Sequence, residues 1–407
     1  MTARSPFASL CSVSFLARFS YALARNPVLP LFALALGAGP EAVGLAVGVS
    51  TVTGILFKMP AGALSDVLGR RRVLLTGLCV FAFAPFLYLA VDSYQGLVLV
   101  RFIHGFATAV YGPVIMAVVA QSAGGRKGEM LSWFSSVGIV GGLLGAPVGG
   151  LLLSLASGPE GYAGWAFPAV YLLCGVSGLG ALVLGWRVLP DAPSGHAGTG
   201  LGARLTAFVS GIKEVSADRR VLAASTAEGV QNMGLGALEA FLPVYAVTVA
   251  GLPEYQAGLL WAAQIVVTLL SKPLLGRFSD QRGRAPLILC GMACCAAPLA
   301  LIPHLAGFWS LLTACLVFGL GEALVTSSSA ALVADVCKER HFGTAMGVFG
   351  TLFDVGHASG PILGGILVGL LGLGPAFAVL ALILGLSMPL CARYLRNPEP
   401  TTPKEAP

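Results

Sequence analysis

Seven charged residues interrupt otherwise apolar stretches of this sequence, and they are the first candidates for chemistry. The three cations lie in the first half of the chain and the four acids lie in the second half: Arg18, Arg25, Arg101, Glu228, Glu239, Glu322 and Asp354. A charge buried among apolar residues is costly unless it is paired or serves a function. We therefore predict that these seven charges carry the function, either as static pairs or as pairs that exchange partners.

Helical spacing places several of these charges on common faces with other polar side chains. At about 100° per residue, two stripes emerge. The first comprises Ser14, Arg18, Tyr21 and Arg25, and the second comprises Glu228, Gln231, Asn232 and Glu239. Leu235 is the only apolar member of the second stripe.

Two histidines lie one helical turn from a charged residue. Asp354 and His357 could relay a proton, since imidazole titrates near neutral pH, although a static hydrogen bond is the alternative. His104 follows Arg101 by three residues, and for it we favour a hydrogen-bonded core histidine over a titrating group.

Composition shows what must position these residues. The chain has 407 residues, of which 56% are apolar and 10% charged, with a mean hydropathy of +0.86. A soluble domain carries about 25% charged residues. A bilayer core of about 30 Å needs about 20 apolar residues per helix. We predict an all-α membrane protein with twelve spans: 10–36, 42–62, 73–91, 94–120, 130–155, 164–186, 221–249, 255–275, 286–304, 308–335, 343–371 and 375–394.

Several function classes are excluded by what the sequence lacks. It has neither a His-Glu-x-x-His pair nor a phosphate-binding Gly-Lys-Ser/Thr loop, so we expect no enzyme and no ATP-driven pump. We also expect no cofactor and no metal. The net charge of +6 comes without a basic run flanked by aromatic residues, which argues against nucleic-acid binding.

The basic residues predict the orientation in the membrane. Nearly all of the 24 Lys and Arg residues lie in segments that would share one side of the bilayer. The loops on the other side carry acids instead, namely Glu41, Asp92, Glu160 and Glu254. By the positive-inside rule, both termini are cytoplasmic. We predict a multi-pass protein of the cytoplasmic (inner) membrane.

The chain contains an internal repeat. An offset of 214 residues places Lys58 on Lys272 and Gly105 on Gly319, and the offset is 213 ahead of Gly44. This predicts two pseudo-symmetric six-helix bundles at 1–187 and 221–407, with a binding site between them. The cytoplasmic linker 188–220 is either an amphipathic helix or a flexible connection.

Two motifs occur in both halves. The loop after the second span and its repeat could form a latch at the inner face, because an aspartate can accept guanidinium hydrogen bonds across a glycine turn. Its residues are Gly62, Asp66, Gly69, Arg70 and Arg71, repeated as Gly276, Asp280, Gly283 and Arg284. The second motif combines close packing with a helix bend. Its residues are Gly145, Pro147 and Gly150 in the first half and Gly360, Pro361 and Gly364 in the second, and the prolines and last glycines correspond at the offset of 214.

With these motifs, the sequence resembles the major facilitator superfamily over essentially its whole length, and within it the drug:proton antiporters. The resemblance implies that Asp66 and the arginines after it steady an outward-open state. It implies that Arg101, in an Arg-x-x-x-Gly motif, takes part in proton coupling. In proton-coupled exporters a Gly-Pro-x-x-Gly-Gly motif lies in the fifth span. Here the copy in the fifth span has Ala146 in place of the first glycine, and the full form occurs at 360–365 in the second half.

The resemblance also places the first, fourth, seventh and tenth spans around a central cavity, so that a cationic wall faces an anionic one. We expect a monomeric secondary transporter that binds protons and a small molecule within the lipid bilayer. Proton-coupled efflux of a small organic molecule or drug is the favoured function. Uptake of an organic anion gripped by the arginines is the alternative.

We expect the following residues to form the site. The proton-coupling candidates are Asp354, His357, Glu228, Glu322, Glu239 and Arg101, with Asp354 ranked first. The substrate-cavity candidates are Arg18, Tyr21, Arg25, His104, Gln231 and Asn232.

Overall fold

The computed structural model describes residues 6–122, 127–159, 161–189, 218–336 and 342–395, and nearly all of them are helical. The first half contains α1 (Pro6–Leu23), α2 (Val28–Ala35), α3 (Pro40–Leu68), α4 (Arg70–Leu87), α5 (Tyr94–Ser122), α6 (Lys127–Leu155) and α7 (Ala166–Val188). The second half contains α8 (Arg219–Thr248), α9 (Glu254–Arg282), α10 (Arg284–Leu301), α11 (Phe308–Val336), α12 (Phe342–Leu371) and α13 (Leu373–Leu395).

Small elements complete the described chain. Single turns of 3₁₀ helix follow α4 and α10, at Tyr88–Ala90 and Ile302–His304. A short antiparallel pair, β1 (Ser157–Gly158) and β2 (Gly161–Tyr162), lies between α6 and α7. The predicted linker 188–220 falls largely on residues 190–217, which lie outside the described residues.

The predicted all-α membrane fold is confirmed. Within the described residues, eleven helical stretches are long and apolar enough to cross a bilayer. The remaining span is α8, whose polar stripe lowers its hydropathy. This helix has 30 residues, and between Ala223 and Ala246 all of them except Thr226 and Val230 are buried. The other helices surround it, so α8 does not need an apolar surface toward lipid.

The first predicted span, 10–36, is not one continuous helix. It is divided into α1 and α2 by a turn at residues 24–27. Pro27 precedes α2 and Pro30 lies in its first turn. Neither proline can donate a backbone hydrogen bond, and each disfavours a helical conformation in the residue before it. Arg25 and Asn26 lie in this turn, at a point where an unbroken helix would have continued.

The repeat is visible in the backbone. Gly69 and Gly283 link α3 to α4 and α9 to α10, with φ values of +90° and +89°. Side chains other than glycine rarely adopt this conformation, so both loops require glycine at this position.

The two halves meet at the helix ends on the predicted outer side. A side chain on Gly44 of α3 would collide with the backbone of Pro361 in α12, and Gly365 of α12 lies against Pro40. The repeat-related contact brings Gly150 of α6 against the backbone of Glu254 in α9. Small residues thus allow α3 to approach α12, and α6 to approach α9, backbone to backbone.

The corresponding glycines on the cytoplasmic side are not packed in this way. No atom of the described residues lies within 4 Å of the position that a Cβ would take on Gly62 or Gly276. Gly62 and Gly276 therefore make no close helix contact with the described residues in this conformation. The close contacts between the halves lie at the opposite end of these helices.

Candidate functional site

An ion pair joins the two halves near the middle of the bundle. Arg25, in the turn between α1 and α2, donates from Nη2 to Oε2 of Glu239 on α8 over 2.7 Å, and its Nε also contacts that carboxylate. Next to it, Asn26 donates from Nδ2 to the backbone carbonyl of Glu239 over 2.9 Å. The cationic and anionic walls expected from the sequence meet at this point.

A histidine on α12 completes this junction. His357 Nε2 lies 3.2 Å from Oε2 of Glu239, and its Nδ1 lies 3.5 Å from Oγ1 of Thr51 on α3. Glu239 is 2% exposed and therefore depends on these partners to offset the loss of hydration. We call Arg25, Asn26, Thr51, Glu239 and His357 the central junction.

A second ion pair links the halves between α3 and α12. Lys58 Nζ lies 2.5 Å from Oδ2 of Asp354, and both side chains remain partly exposed. The structure thus places Lys58 opposite the acid ranked first for proton coupling. Asp354 lies one turn before His357 on α12, so the two ion pairs are neighbours there.

The expected relay between Asp354 and His357 is not formed. Although the two residues share a helix and lie one turn apart, Asp354 binds Lys58 and His357 binds Glu239. Each side chain thus bonds to a partner on another helix, because an ion pair with a cation or carboxylate there is stronger than a contact between the two. Asp354 thus contacts the first half through Lys58, whereas His357 contacts Glu239 within the second half.

Glu228 lies deeper in the second half and is fully buried. Its Oε1 accepts hydrogen bonds from Asn232 Nδ2 over 3.2 Å and from Thr326 Oγ1 on α11 over 3.0 Å. Gln231 accepts from the same Asn232 amide over 3.1 Å. The polar stripe predicted on this helix therefore divides, with Glu239 at the boundary between the halves and Glu228 inside the second half.

Glu322 on α11 lies close to Glu228. Its Oε2 accepts hydrogen bonds from Gln264 Nε2 and from Thr268 Oγ1, the latter over 3.1 Å, both on α9. Glu228 and Glu322 interact electrostatically with each other and with Lys272. Three helices of the second half therefore enclose two acids with one nearby lysine.

The buried cation of the first half is held by aromatic rings. Arg101 on α5 has no exposed surface, donates to Tyr21 Oη over 3.3 Å, and places its guanidinium carbon 4.9 Å from the centre of that ring. His104, equally buried, contacts Tyr88 Oη from Nδ1 over 3.3 Å. His104 thus makes the core hydrogen bond favoured from the sequence.

Arg18 is exposed and does not face an acid of the second half in any contact between described residues. Its electrostatic interaction is with Tyr111 on α5. The shared face predicted for Arg18 and Arg25 is lost because the helix ends at Leu23, before Arg25.

The latch motif of the second half forms an ion-pair network. Arg284 contacts Asp280 of the preceding helix, and its Nε lies 3.0 Å from Oδ2 of Asp335 on α11. In the first half, Arg71 Nη2 donates to the carbonyl of Trp186 over 2.9 Å, and Arg70 Nη1 donates to that of Ala117 over 3.4 Å. The side chain of Asp66 lies outside the described part of the structure.

The bend motifs act through their glycines at helix contacts. A Cβ on Gly360 would come within 2.9 Å of the Ala237 nitrogen on α8, and one on Gly145 would come within 2.7 Å of the Leu23 nitrogen on α1. Both motif prolines, Pro147 and Pro361, lie inside continuous helices.

Several partners in the site were not predicted from the sequence. They are Asn26, Thr51, Lys58, Gln264, Thr268, Lys272 and Thr326. Gln264 and Thr268 could have been identified from the sequence as a polar pair on one helix face, since they lie four residues apart in an otherwise apolar span. Within the described residues, no group of three or more His, Cys, Asp or Glu side chains is placed to hold a metal ion.

Comparison with known proteins identifies the class. The sequence matches the Major Facilitator Superfamily over residues 10–269 and 251–407. The chain belongs to this family, whose members are multi-pass membrane transporters.

Particular relatives are distant but cover most of the chain. An uncharacterized MFS-type transporter of Methanocaldococcus jannaschii is 22% identical over 388 residues, which is 93% of this chain and 94% of the relative. The chromaffin granule amine transporter of Rattus norvegicus is 22% identical over 371 residues, covering 89% of this chain and 67% of the relative. The inner membrane transport protein YajR of Escherichia coli is 23% identical, covering 83% and 72%.

Solved structures share the fold. The nucleoside transporter NupG superposes with a TM-score of 0.81 at 14% identity, covering 97% of this chain and 100% of that one. A bacterial homologue of the lysosomal transporter Spinster, in an inward-facing unoccupied conformation, gives a TM-score of 0.73 at 15% identity, covering 96% and 94%. The family match, with which this shared fold agrees, makes the protein a secondary transporter of this superfamily.

Proposed function

We propose that the protein is a proton-coupled antiporter that exports a small organic molecule from the cell by alternating access. The central junction is the observation that carries this proposal. Glu239 binds Arg25 across the two halves while it is ionised, and a proton on this carboxylate would remove the charge that holds the pair. The halves could then separate on the outer side.

The cycle follows from the charges that face Glu239. These are Arg25 from the turn after α1, His357 from α12 and, at longer range, Arg101 from α5. A proton or a cationic substrate on Glu239 would neutralise the carboxylate and release Arg25, so the halves could rock while either of the two is bound. A substrate bound from the cytoplasm would be carried to the outer side, and a proton bound there would be carried back and released to the cytoplasm. Because the two compete for one carboxylate, export of the substrate is exchanged for entry of a proton.

In this proposal Asp354, like Glu239, couples proton binding to the relative position of the two halves. Its ion pair with Lys58 also crosses the halves, so protonation of this carboxylate would weaken a second contact between α3 and α12. The two acids together would make the relative position of the halves depend on proton binding. Latches at Asp66 and Asp280, a monomeric state and the cytoplasmic membrane remain parts of the proposal.

The substrate class that fits best is an organic cation or amine. All four intramembrane acids lie in the second half, and carboxylates in a desolvated cavity attract cations. The resemblance to amine transporters of chromaffin granules supports the same class.

A second candidate is proton-coupled uptake of an organic anion, and one observation favours it. Arg101 forms no ion pair within 4 Å among the described residues, so a substrate carboxylate could supply the missing negative charge. Against it, the guanidinium is enclosed by Tyr21 and has no exposed surface.

Proteoliposomes with an imposed pH gradient distinguish the two functions. A permanently charged probe such as 1-methyl-4-phenylpyridinium should accumulate in an acidic lumen only when the protein is present, and a protonophore should abolish this uptake. Protein-free vesicles are the control. Accumulation of a carboxylate probe in an alkaline lumen instead, without transport of the cation, would overturn antiport in favour of anion uptake.

A further inference from the structure

Inside the second half, α8, α9 and α11 enclose the C-half polar cluster, which consists of Glu228, Asn232, Gln264, Thr268 and Glu322. Within α8, Asn232 donates a hydrogen bond to Glu228. Gln264 and Thr268 of α9 donate to Glu322 of α11, and the two carboxylates interact electrostatically. The cluster is separate from the central junction, in which Glu239 is already paired.

Three oxygens of this cluster are buried without a hydrogen-bond partner among the described residues. They are Oε2 of Glu228, Oδ1 of Asn232 and Oε1 of Gln264. The three residues are at most 1% exposed. A buried acceptor that lacks a partner costs about 1–3 kcal/mol, and three in one cluster indicate a missing positively charged or donor group.

The amide orientations follow from their other contacts. The nitrogen of Asn232 donates to the backbone carbonyl and carboxylate of Glu228, and the nitrogen of Gln264 donates to the carboxylate of Glu322. Reversing either amide would place an oxygen against a carboxylate. The free atoms are therefore acceptors.

Charge balance specifies the missing group further. Lys272 acts electrostatically on both carboxylates and His357 acts on Glu322, but no ion pair joins either cation to these acids among the described residues. A monovalent cation would supply positive charge in direct contact with the two acids. A proton would cover only one oxygen, whereas a hard metal cation is coordinated by several carboxylate and amide oxygens at once. Glu322 and Thr326 are partly exposed, so an ion can enter from solvent.

We propose that the C-half polar cluster binds one monovalent metal cation, with Na⁺ as the first probe. The repeat indicates one site per protein. The corresponding positions of the first half are Phe15, Phe19, Ser50, Gly54 and Thr108, none of which carries a charge. The ion would tie α8 to α9 and α11, and this role does not depend on the direction of transport.

Thermal unfolding of the purified protein in detergent tests the site directly. We expect the Tm at pH 8 to rise by several degrees, in a saturable way, in Na⁺ or K⁺ relative to N-methyl-D-glucamine at equal ionic strength. Equal Tm values in the three chlorides would overturn the proposal. A Tm that rises only as the pH is lowered, with no metal dependence, would also overturn it.

Variants locate the effect. Glu322→Gln removes one charge, and Gln264→Met removes an amide oxygen at similar volume, so both should abolish the metal-dependent shift or raise the half-saturating concentration at least tenfold. Asp92→Asn, an exposed acid in an outer loop, should retain the shift of the wild type. An unchanged shift in Gln264→Met would overturn the site even if Glu322→Gln does not fold.

Failure here is distinguishable from failure of proton-coupled export. Flux driven by a pH gradient can be measured in N-methyl-D-glucamine buffers free of Na⁺ and K⁺. Persistent flux without any metal-dependent Tm shift would reject the ion site and leave antiport in place. A metal-dependent Tm shift in a protein without proton-driven flux would reject antiport and leave the ion site in place.

Discussion

Arg25 and Glu239 form an ion pair between the two halves, and they lie 214 positions apart in the chain. The repeat offset in this region is 213, so the exact counterpart of Glu239 is Asn26, which donates to the Glu239 backbone carbonyl. Residues related by the repeat can touch only near the pseudo-two-fold axis. The central junction therefore lies beside this axis, where each half contacts its own counterpart.

Glu239→Gln should uncouple transport from the pH gradient. The amide keeps the size of the side chain but cannot carry a negative charge, so binding to Arg25 no longer depends on protonation. We expect uptake of the cationic probe driven by an acidic lumen to fall about tenfold or more, in the usual range of coupling free energies of about 1–3 kcal/mol.

The charge-swapped pair supplies the control for this experiment. Arg25→Glu combined with Glu239→Arg restores opposite charges across the halves, and it should recover Tm relative to either single variant. Full proton-driven transport in Glu239→Gln, at wild-type expression, would contradict a coupling role for this carboxylate.

Asp354→Asn should lose transport driven by the pH gradient while the protein still reaches the membrane. The substitution removes the charge that binds Lys58, so α3 and α12 would no longer be held together in a proton-dependent way. Lys58→Met, which removes the other partner, should produce the same defect. Unchanged gradient-driven transport in Asp354→Asn would rule out this acid as a coupling group.

The sequence was sufficient for much of this architecture. Apolar lengths predicted the spans, and the offset that relates Lys58 to Lys272 predicted the two halves. The resemblance implied that a cationic wall faces an anionic one across a cavity, and Arg25 and Glu239 meet in this way. The spans and the two halves depend on hydropathy and on spacing along the chain, both of which a single sequence records.

Pairings between helices could not be predicted in the same way. Asp354 was expected to interact with His357 because the two share a helix, yet its partner is Lys58, almost 300 positions away. Which turn of α3 faces which turn of α12 depends on glycine contacts such as that of Gly44 with Pro361. The break in the helix before Arg25, by contrast, could have been predicted from the nearby prolines Pro27 and Pro30.

Tyr21→Phe should destabilise the first half. The phenol oxygen accepts a hydrogen bond from the fully buried Arg101, and its loss would leave a donor of a charged group without a partner. We expect a cost of about 1–3 kcal/mol, seen as a lower Tm. Tyr94→Phe is the matched control, because this tyrosine is 41% exposed and should leave the Tm unchanged. Equal Tm values for both variants would contradict a structural role for the bond.

Gly356→Ala should weaken the contact between α8 and α12, which positions Glu239 and His357. An added Cβ would collide with the carbonyl oxygen of Gly229 and lie 2.9 Å from its Cα, and neither backbone atom can move independently of its helix. Overpacking of this kind costs about 1–3 kcal/mol.

Gly350→Ala on the same helix is the control, since a Cβ there meets no atom of the described residues within 4 Å. Replacing that partly buried glycine by alanine should preserve or slightly raise the Tm, because alanine favours the helix by about 1 kcal/mol. A lower Tm in Gly356→Ala with reduced proton-driven transport would tie the helix contact to the junction. Similar Tm values for the two variants would show instead that α8 and α12 can separate without cost, contrary to the packing described here.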